Sequence, residues 1–228
     1  MISDADISAL WLSIQLSTFS TIILMIIGTP LAWWLSKSKF FLKPVIQTLI
    51  SMPLVLPPTV LGFYLLIFLG QNGPLADITN FMGLGILAFS FSGLLIGSII
   101  YSLPFVVQPI YSSFMANGNH SSDVAATLGA SKLDRFFSIE VPMASPGFIT
   151  AAILGFAHTL GEFGVVLMIG GNIPGKTKVL SIAIYDHVEA VEYASAHSLS
   201  AIMLTISFVL LMLVYFFNNK YSHFNYVN

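Results

Sequence analysis

Ser122–Pro142 reads SDVAATLGASKLDRFFSIEVP. It is the longest polar-bearing segment of the chain, and apolar runs long enough to cross a bilayer flank it on both sides. A chain this poor in charge has little reason to carry such a segment unless something outside the lipid needs it. Ser122 to Lys132 reads as a short helix: Asp123 stands near its start, the small Ala125 and Ala126 follow, and Gly129 interrupts it. A helix so short is marginal by itself and has to be held by docking. The segment is therefore a knob presented to a partner.

Outward from that segment, composition points to lipid as the main solvent. Of the 228 residues 56% are hydrophobic and 8% charged, with a mean hydropathy of +0.89. A soluble domain has roughly a quarter of its residues charged, so this chain could not dress a water-facing surface. It has no cysteine, which excludes disulfides, thiol chemistry and thiolate metal sites. The eight Lys and Arg are scattered, and no basic face for nucleic acid forms. The opening MISDADISAL lacks a basic n-region, so it reads as the approach to a retained first helix.

Five apolar runs are near the ~20 residues that cross hydrocarbon. They cover about residues 11–35, 45–69, 86–111, 148–169 and 196–217. The fold class is all-α, a polytopic membrane helical bundle forming a single domain over 1–228. The asparagine-bearing tail after Phe217 reads as loose. Basic residues orient the bundle. With the N-terminus outside, Lys37, Lys39, Lys43, Lys132, Arg135 and Lys220 lie in the cytoplasm, and only Lys176 and Lys178 lie outside. The knob, within a segment spanning 116–142, then faces the cytoplasm. Between Val179 and Val191 the run VLSIAIYDHVEAV is too short and too charged to span. It is either an ordinary loop helix or a re-entrant piece closing the outer mouth.

Several features bear on a pathway. The second run carries Pro53, Pro57 and Pro58 in SMPLVLPPTVLG. Each proline removes a backbone donor and displaces the carbonyl a turn earlier. Broken backbone at membrane depth is tolerated only inside protein or along a cavity. Pro57, Pro58 and the neighbouring Thr59 are therefore candidates for lining a pathway, the alternative being a packing kink. Gly147, Ala151, Gly155 and Thr159 recur every four residues as a small-residue ridge, and Gly93 and Gly97 repeat the pattern on the third run. Glu162 is the one acidic residue well inside a run, and a central charge costs about 2.5–3.5 kcal/mol on insertion scales. It must be hydrated, paired or protonated. His158, one helical turn earlier, is its expected partner. The pair, with Thr159, is either a gate or a polar clamp between helices. An ionised Glu162 would repel an anion, so it is not cast as an anion ligand.

Two motifs mislead. Gly170–Thr177, GGNIPGKT, satisfies G-x-x-x-x-G-K-[ST], but a phosphate loop needs a preceding strand and a following helix. Here the motif follows a membrane run, contains Pro174 and faces away from the cytoplasm. Asn119-His120-Ser121 fits a glycosylation acceptor on the wrong side of the membrane. The five histidines are dispersed, and no metal, cofactor or catalytic residue is assigned.

The knob resembles the EAA loop of importer-type ABC transporter permeases. That pattern is EAA, three residues, Gly, nine residues, then I-x-L-P. Asp123, Val124 and Ala125 stand at the EAA positions, Gly129 at the glycine, and Ile139-Glu140-Val141-Pro142 at I-x-L-P, with no gap. Asp replaces Glu, and Val replaces both the first Ala and the Leu. Pro53–Pro58 with Gly62, Leu160-Gly161-Glu162-Phe163-Gly164, and Asn172-Ile173-Pro174-Gly175-Lys176-Thr177 are similar to the molybdate permease branch, as is Ala126–Ala130. Sulfate-type permeases carry related versions. The resemblance implies a homodimer with two cytoplasmic ATP-binding subunits and an extracytoplasmic oxyanion-binding protein, in which the ATPase lies on the partner and not on this chain. It implies a coupling helix at about Ser122–Leu133, with Asp123, Ala125, Ala126, Leu128, Gly129, Ala130 and Ser131 meeting the ATPase. Molybdate, or the similar tungstate, is the implied passenger. The alternatives are a sulfate or thiosulfate importer, and a self-standing channel or proton-coupled carrier that uses His158 and Glu162.

Overall fold

The computed structural model describes residues 2–81, 83 and 85–225, with backbone only at 78–80 and 218–225. Every regular element among them is helical. Helix α1 (Asp4–Lys37) opens on a capping box: the Ser3 hydroxyl accepts from the Asp6 amide, and the Asp6 carboxylate accepts from the Ser3 amide. These contacts satisfy two amides that a helix start otherwise leaves free. At about 1.5 Å per residue α1 is roughly 50 Å long, so it crosses the ~30 Å hydrocarbon layer and projects beyond it. Its buried positions, among them Ala9, Ser13, Leu16, Ser20, Leu24 and Leu35, recur at three- and four-residue steps and make one inward face.

The second run is not one helix. Its first half is α2 (Lys43–Ser51), which passes through a 3-10 turn at Met52–Leu54, and its second half is α3 (Pro58–Leu69). The two halves meet at 107°. Pro57 and Pro58 account for the break, because neither can donate to the carbonyl four residues earlier, while Pro58 sits comfortably at the first position of a new helix. After the short α4 (Ala76–Phe81), α5 (Phe91–Asn117) starts where the Ser90 hydroxyl accepts from the Gly93 amide and stops at Gly118, φ +63°. Its start lies five residues later than expected and its end six later.

The water-side segment follows as α6 (His120–Thr127), α7 (Lys132–Arg135), a π-helical turn at Phe136–Glu140 and α8 (Val141–Met143). It turns by 71° into α9 (Ser145–Leu160). The expected fourth span, 148–169, is interrupted: α9 ends at Leu160, and α10 (Gly164–Gly170) is a separate helix. Then come α11 (Leu180–Glu189) and α12 (Tyr193–Asn225). The tail after Phe217 therefore continues as helix through residue 225 instead of falling loose.

Three of the described helices, α1, α5 and α12, are long and apolar enough to cross a membrane, and the count rises to five if each bent pair is one span. The core lies where α1, α5 and α9 pack together. The small-residue ridges permit this contact. A Cβ on Gly155 would stand 2.7 Å from the Val106 side chain, and one on Gly147 would stand 2.4 Å from Ser113 Cβ. A Cβ on Gly97 would stand 2.5 Å from Ile169 of α10. Helix α11 is no plain loop helix. Leu180, Ile182 and Ala183 are buried, and the Leu180 amide donates to Ser13, nine residues inside α1, at 2.7 Å. It leans into the bundle at the outer end.

Candidate coupling surface and membrane pathway

The expected coupling helix Ser122–Leu133 is two helices set around a turn. Helix α6 begins two residues earlier, at His120, and ends because Gly129 adopts φ +90°, a left-handed conformation that glycine takes without a Cβ clash. The Ala130 amide returns to the Ala125 carbonyl at 3.0 Å, satisfying one of the carbonyls left at the helix end. Ser131 then opens α7, its hydroxyl accepting from the Asp134 amide at 3.2 Å. Asp123 and Ala126 are exposed, and Ala125 and Ala130 are half-buried. Leu128 is 84% exposed and Leu133 71%, large apolar side chains on a segment whose neighbours are polar. Exposed apolar groups rimmed by polar ones mark an interaction surface.

The knob is tied back to the end of α1. Glu140 accepts from Trp33 Nε1 and pairs with Lys37 at 3.1 Å, and Lys37 also donates to Asn119 Oδ1 at 2.6 Å. Arg135 donates to the Ser122 carbonyl at 3.3 Å. Together with Asp123 these residues surround a cavity of about 260 Å³. Sequence reasoning treated Lys37 as a topology marker and Glu140 as the free position of I-x-L-P, so it missed the tie. The one available hint was an acidic residue between two aliphatic ones.

Inside the bundle, His158 and Glu162 do not pair. Helix α9 ends between them. His158 Nδ1 lies 2.9 Å from the Ser102 hydroxyl, which is also 2.9 Å from Thr159 Oγ1. The His158 ring stacks on Phe105 at 3.8 Å. Glu162 is 4% exposed, and neither carboxylate oxygen has a hydrogen-bond partner. Ser98 stands beside it without reaching hydrogen-bond geometry. The Glu162 carbonyl accepts from Ser181 at 2.6 Å. Pro58 and Thr59 press on Gly164, where a Cβ would come within 2.7 Å of Pro58 Cβ. The two interrupted spans thus meet at their interruptions, the start of α3 against the start of α10. That satisfies the rule that broken backbone stays inside protein.

The phosphate-loop look-alike is a different structure. A helix, α10, precedes it, and the Thr177 hydroxyl is buried, donating to Gly170 O at 2.7 Å and accepting from the Ile173 amide at 3.2 Å.

These features define a multi-pass membrane protein of transporter type: broken spans in its interior and an exposed lever between the third and fourth crossings. Residues 10–223 match the family of binding-protein-dependent transport system inner membrane components, and the chain belongs to that family of ABC transporter permeases. It is 54% identical over 214 residues to the molybdenum transport system permease protein ModB of Azotobacter vinelandii, covering 94% of this chain and 95% of that one. A probable sulfate transport system permease of Chlorella vulgaris is 29% identical over 91% of this chain and 78% of its own length. Among solved structures, a bacterial alginate ABC transporter in complex with its periplasmic protein shares the fold at TM-score 0.75. That likeness has 16% identity and covers 93% of this chain and 77% of that one. The protein is accordingly a component of the inner membrane.

Proposed function

We propose that this chain is the membrane subunit of an ABC importer for molybdate, with tungstate as a passenger of the same tetrahedral shape. It works as a homodimer with two cytoplasmic ATP-binding subunits and an extracytoplasmic binding protein. The observation that carries the coupling role is the exposed apolar pair Leu128 and Leu133 around the Gly129 turn, placed where a cleft on each ATPase would receive them. The choice of molybdate is supported by the 54% identity to the molybdenum permease, against 29% for the sulfate permease. Asp123, Ala125, Ala126, Leu128, Gly129, Ala130 and Ser131 form the contact. Pro57, Pro58, Thr59, His158, Thr159 and Glu162 shape the interior around the two broken spans.

ATP binds the closed and open arrangements of the ATPase pair with different affinity, and the lever transmits that difference to the bundle. The testing experiment is uptake of labelled molybdate into vesicles holding the chain with its ATPase and binding protein. Uptake that requires ATP and is competed by tungstate but not by sulfate is the expected result. Competition by sulfate at equal concentration would favour the sulfate reading. Uptake without the ATPase would favour a carrier and end the coupling assignment.

A further inference from the structure

We propose that Gln47, Ser51 and Gln108 form an uncharged hydrogen-bonding site for the tetrahedral oxyanion in the cytoplasmic half of the pathway; its ligand rests on the importer reading above. Gln47 and Ser51 are one helical turn apart on α2, so they share a face. Gln108 reaches from α5, and its Nε2 donates to Ser51 Oγ at 3.0 Å. Two hollows meet on this face. A small one of about 110 Å³ has Gln47, Ser51, Gln108 and Tyr111 in its wall, and an open one of about 600 Å³ has Gln47, Thr48 and Ser51.

Polarity is what makes the face informative. Gln108 and Thr48 are exposed, and the Gln47 carboxamide has no hydrogen-bond partner among the described residues. Carboxamides without partners cannot face hydrocarbon, where each unmet polar group costs several kcal/mol; they face water or protein. The lipid-type surface of the same protein looks different: the exposed positions of α12 include Leu204, Phe208 and Met212. The break that follows Ser51 belongs to the same feature, since interrupted backbone at this depth also requires a cavity or a protein neighbour.

The chemistry suits an anion that must leave as well as enter. Each carboxamide offers two N–H donors and each hydroxyl one, enough to replace part of the hydration of a dianion as it passes. None carries a charge, so the site holds the anion less tightly than an Arg or Lys in the same dry position would, and conduction needs binding that is multiple and weak. The neighbouring cation lies further on, at the cytoplasmic start of α2. Lys43 Nζ sits 5.4 Å from the ring centre of Tyr111, which itself lines the smaller hollow. The order along the path is uncharged donors first and a cation at the exit.

The chain contains no cysteine, so single-cysteine variants report without background. Ser51→Cys, Gln108→Cys and, as a lipid-facing control, Leu204→Cys are assembled into the complete transporter in vesicles. They are then treated with a charged, membrane-impermeant methanethiosulfonate. Ser51→Cys and Gln108→Cys react at least about tenfold faster than the control, and millimolar molybdate with ATP slows that reaction. Equal rates at all three positions would place this face against lipid or a second copy and overturn the proposal. In parallel, Gln108→Leu lowers molybdate moved per ATP hydrolysed by about tenfold, the order of one charge-assisted hydrogen bond, and Gln108→Asn recovers most of it. Undiminished transport by Gln108→Leu would also overturn the site. Labelling of both cysteines alongside no oxyanion uptake by the unsubstituted transporter would end the importer reading and with it the ligand, while the wet face would stand.

Discussion

At Gly129 the backbone takes φ +90°, and a Cβ built there meets no atom within 4 Å. The demand for glycine is therefore conformational and not steric. A β-branched residue in the left-handed region costs about 1–2 kcal/mol, enough to rearrange a turn that only a short helix supports on either side. Gly129→Val is expected to insert normally and to lose ATP-dependent uptake, whereas Gly129→Asn, which tolerates this conformation, keeps most of it; vesicle uptake with a matched expression blot checks both. At the outer end a different residue sets a pH response. His187 lies 2.8 Å from Asp6 through Nε2 and 2.8 Å from Glu192 through Nδ1. The hydrogen bond to Asp6, then that to Glu192, raises its pKa above 6.5. The clamp's contribution is complete below the unfolded value of about 6.5 and fades as pH rises through the raised folded value. Thermal unfolding in detergent is expected to shift downward between pH 6 and 9, and His187→Ala is expected to flatten that slope.

At the scale of elements, the coupling segment is a lever with a fixed foot. Glu140 links its exit to the last turn of α1 through Trp33 and Lys37, and Lys37 carries the link on to Asn119 at the entry of α6. A push on α6 thus reaches α1 as well as α9, which continues directly from the segment. Glu140→Gln keeps the shape and removes the charge. It is expected to lower uptake several-fold while the ATPase still co-purifies, because the knob's outward face is untouched. Loss of co-purification instead would place Glu140 in the docking surface. The α5–α9 seam behaves differently, since its tightness depends on missing side chains. Gly155→Val, whose first added carbon would stand 2.7 Å from Val106, is expected to destabilise the protein by about 1–3 kcal/mol, measured as a lower midpoint of thermal unfolding.

Over the whole molecule, burial is uneven in a way that follows the solvent. Leu94 is fully buried between α5 and its neighbours, while Leu204 on α12 is 71% exposed. Leu94→Ala is expected to cost about 2–5 kcal/mol, the range for emptying a packed site. Leu204→Ala should leave the unfolding midpoint nearly unchanged, because its side chain has lipid on one side before and after. A bundle of so few spans, with polar hollows open at α2, also fits the pairing of two copies about an axis normal to the membrane.

Much of this was legible in the chain itself. Low charge and long apolar runs determined a membrane bundle, because hydrocarbon admits few other solutions. The asymmetry of Lys and Arg determined its orientation, and Asp123 through Pro142 marked the lever. Periodicity along one run, however, says nothing about what stands across the gap. Only the folded arrangement separated His158 from Glu162 by ending α9 at Leu160, giving the histidine to Ser102. It also set Pro58 against Gly164, joined Glu140 to Lys37, and brought Gln108 to Ser51. Each of these is a contact between residues far apart in sequence, except the first, which is a neighbour relation undone by a helix end. Local patterns carry solvent and secondary structure; partners in a packed interior depend on where the helices break and which faces the breaks turn together.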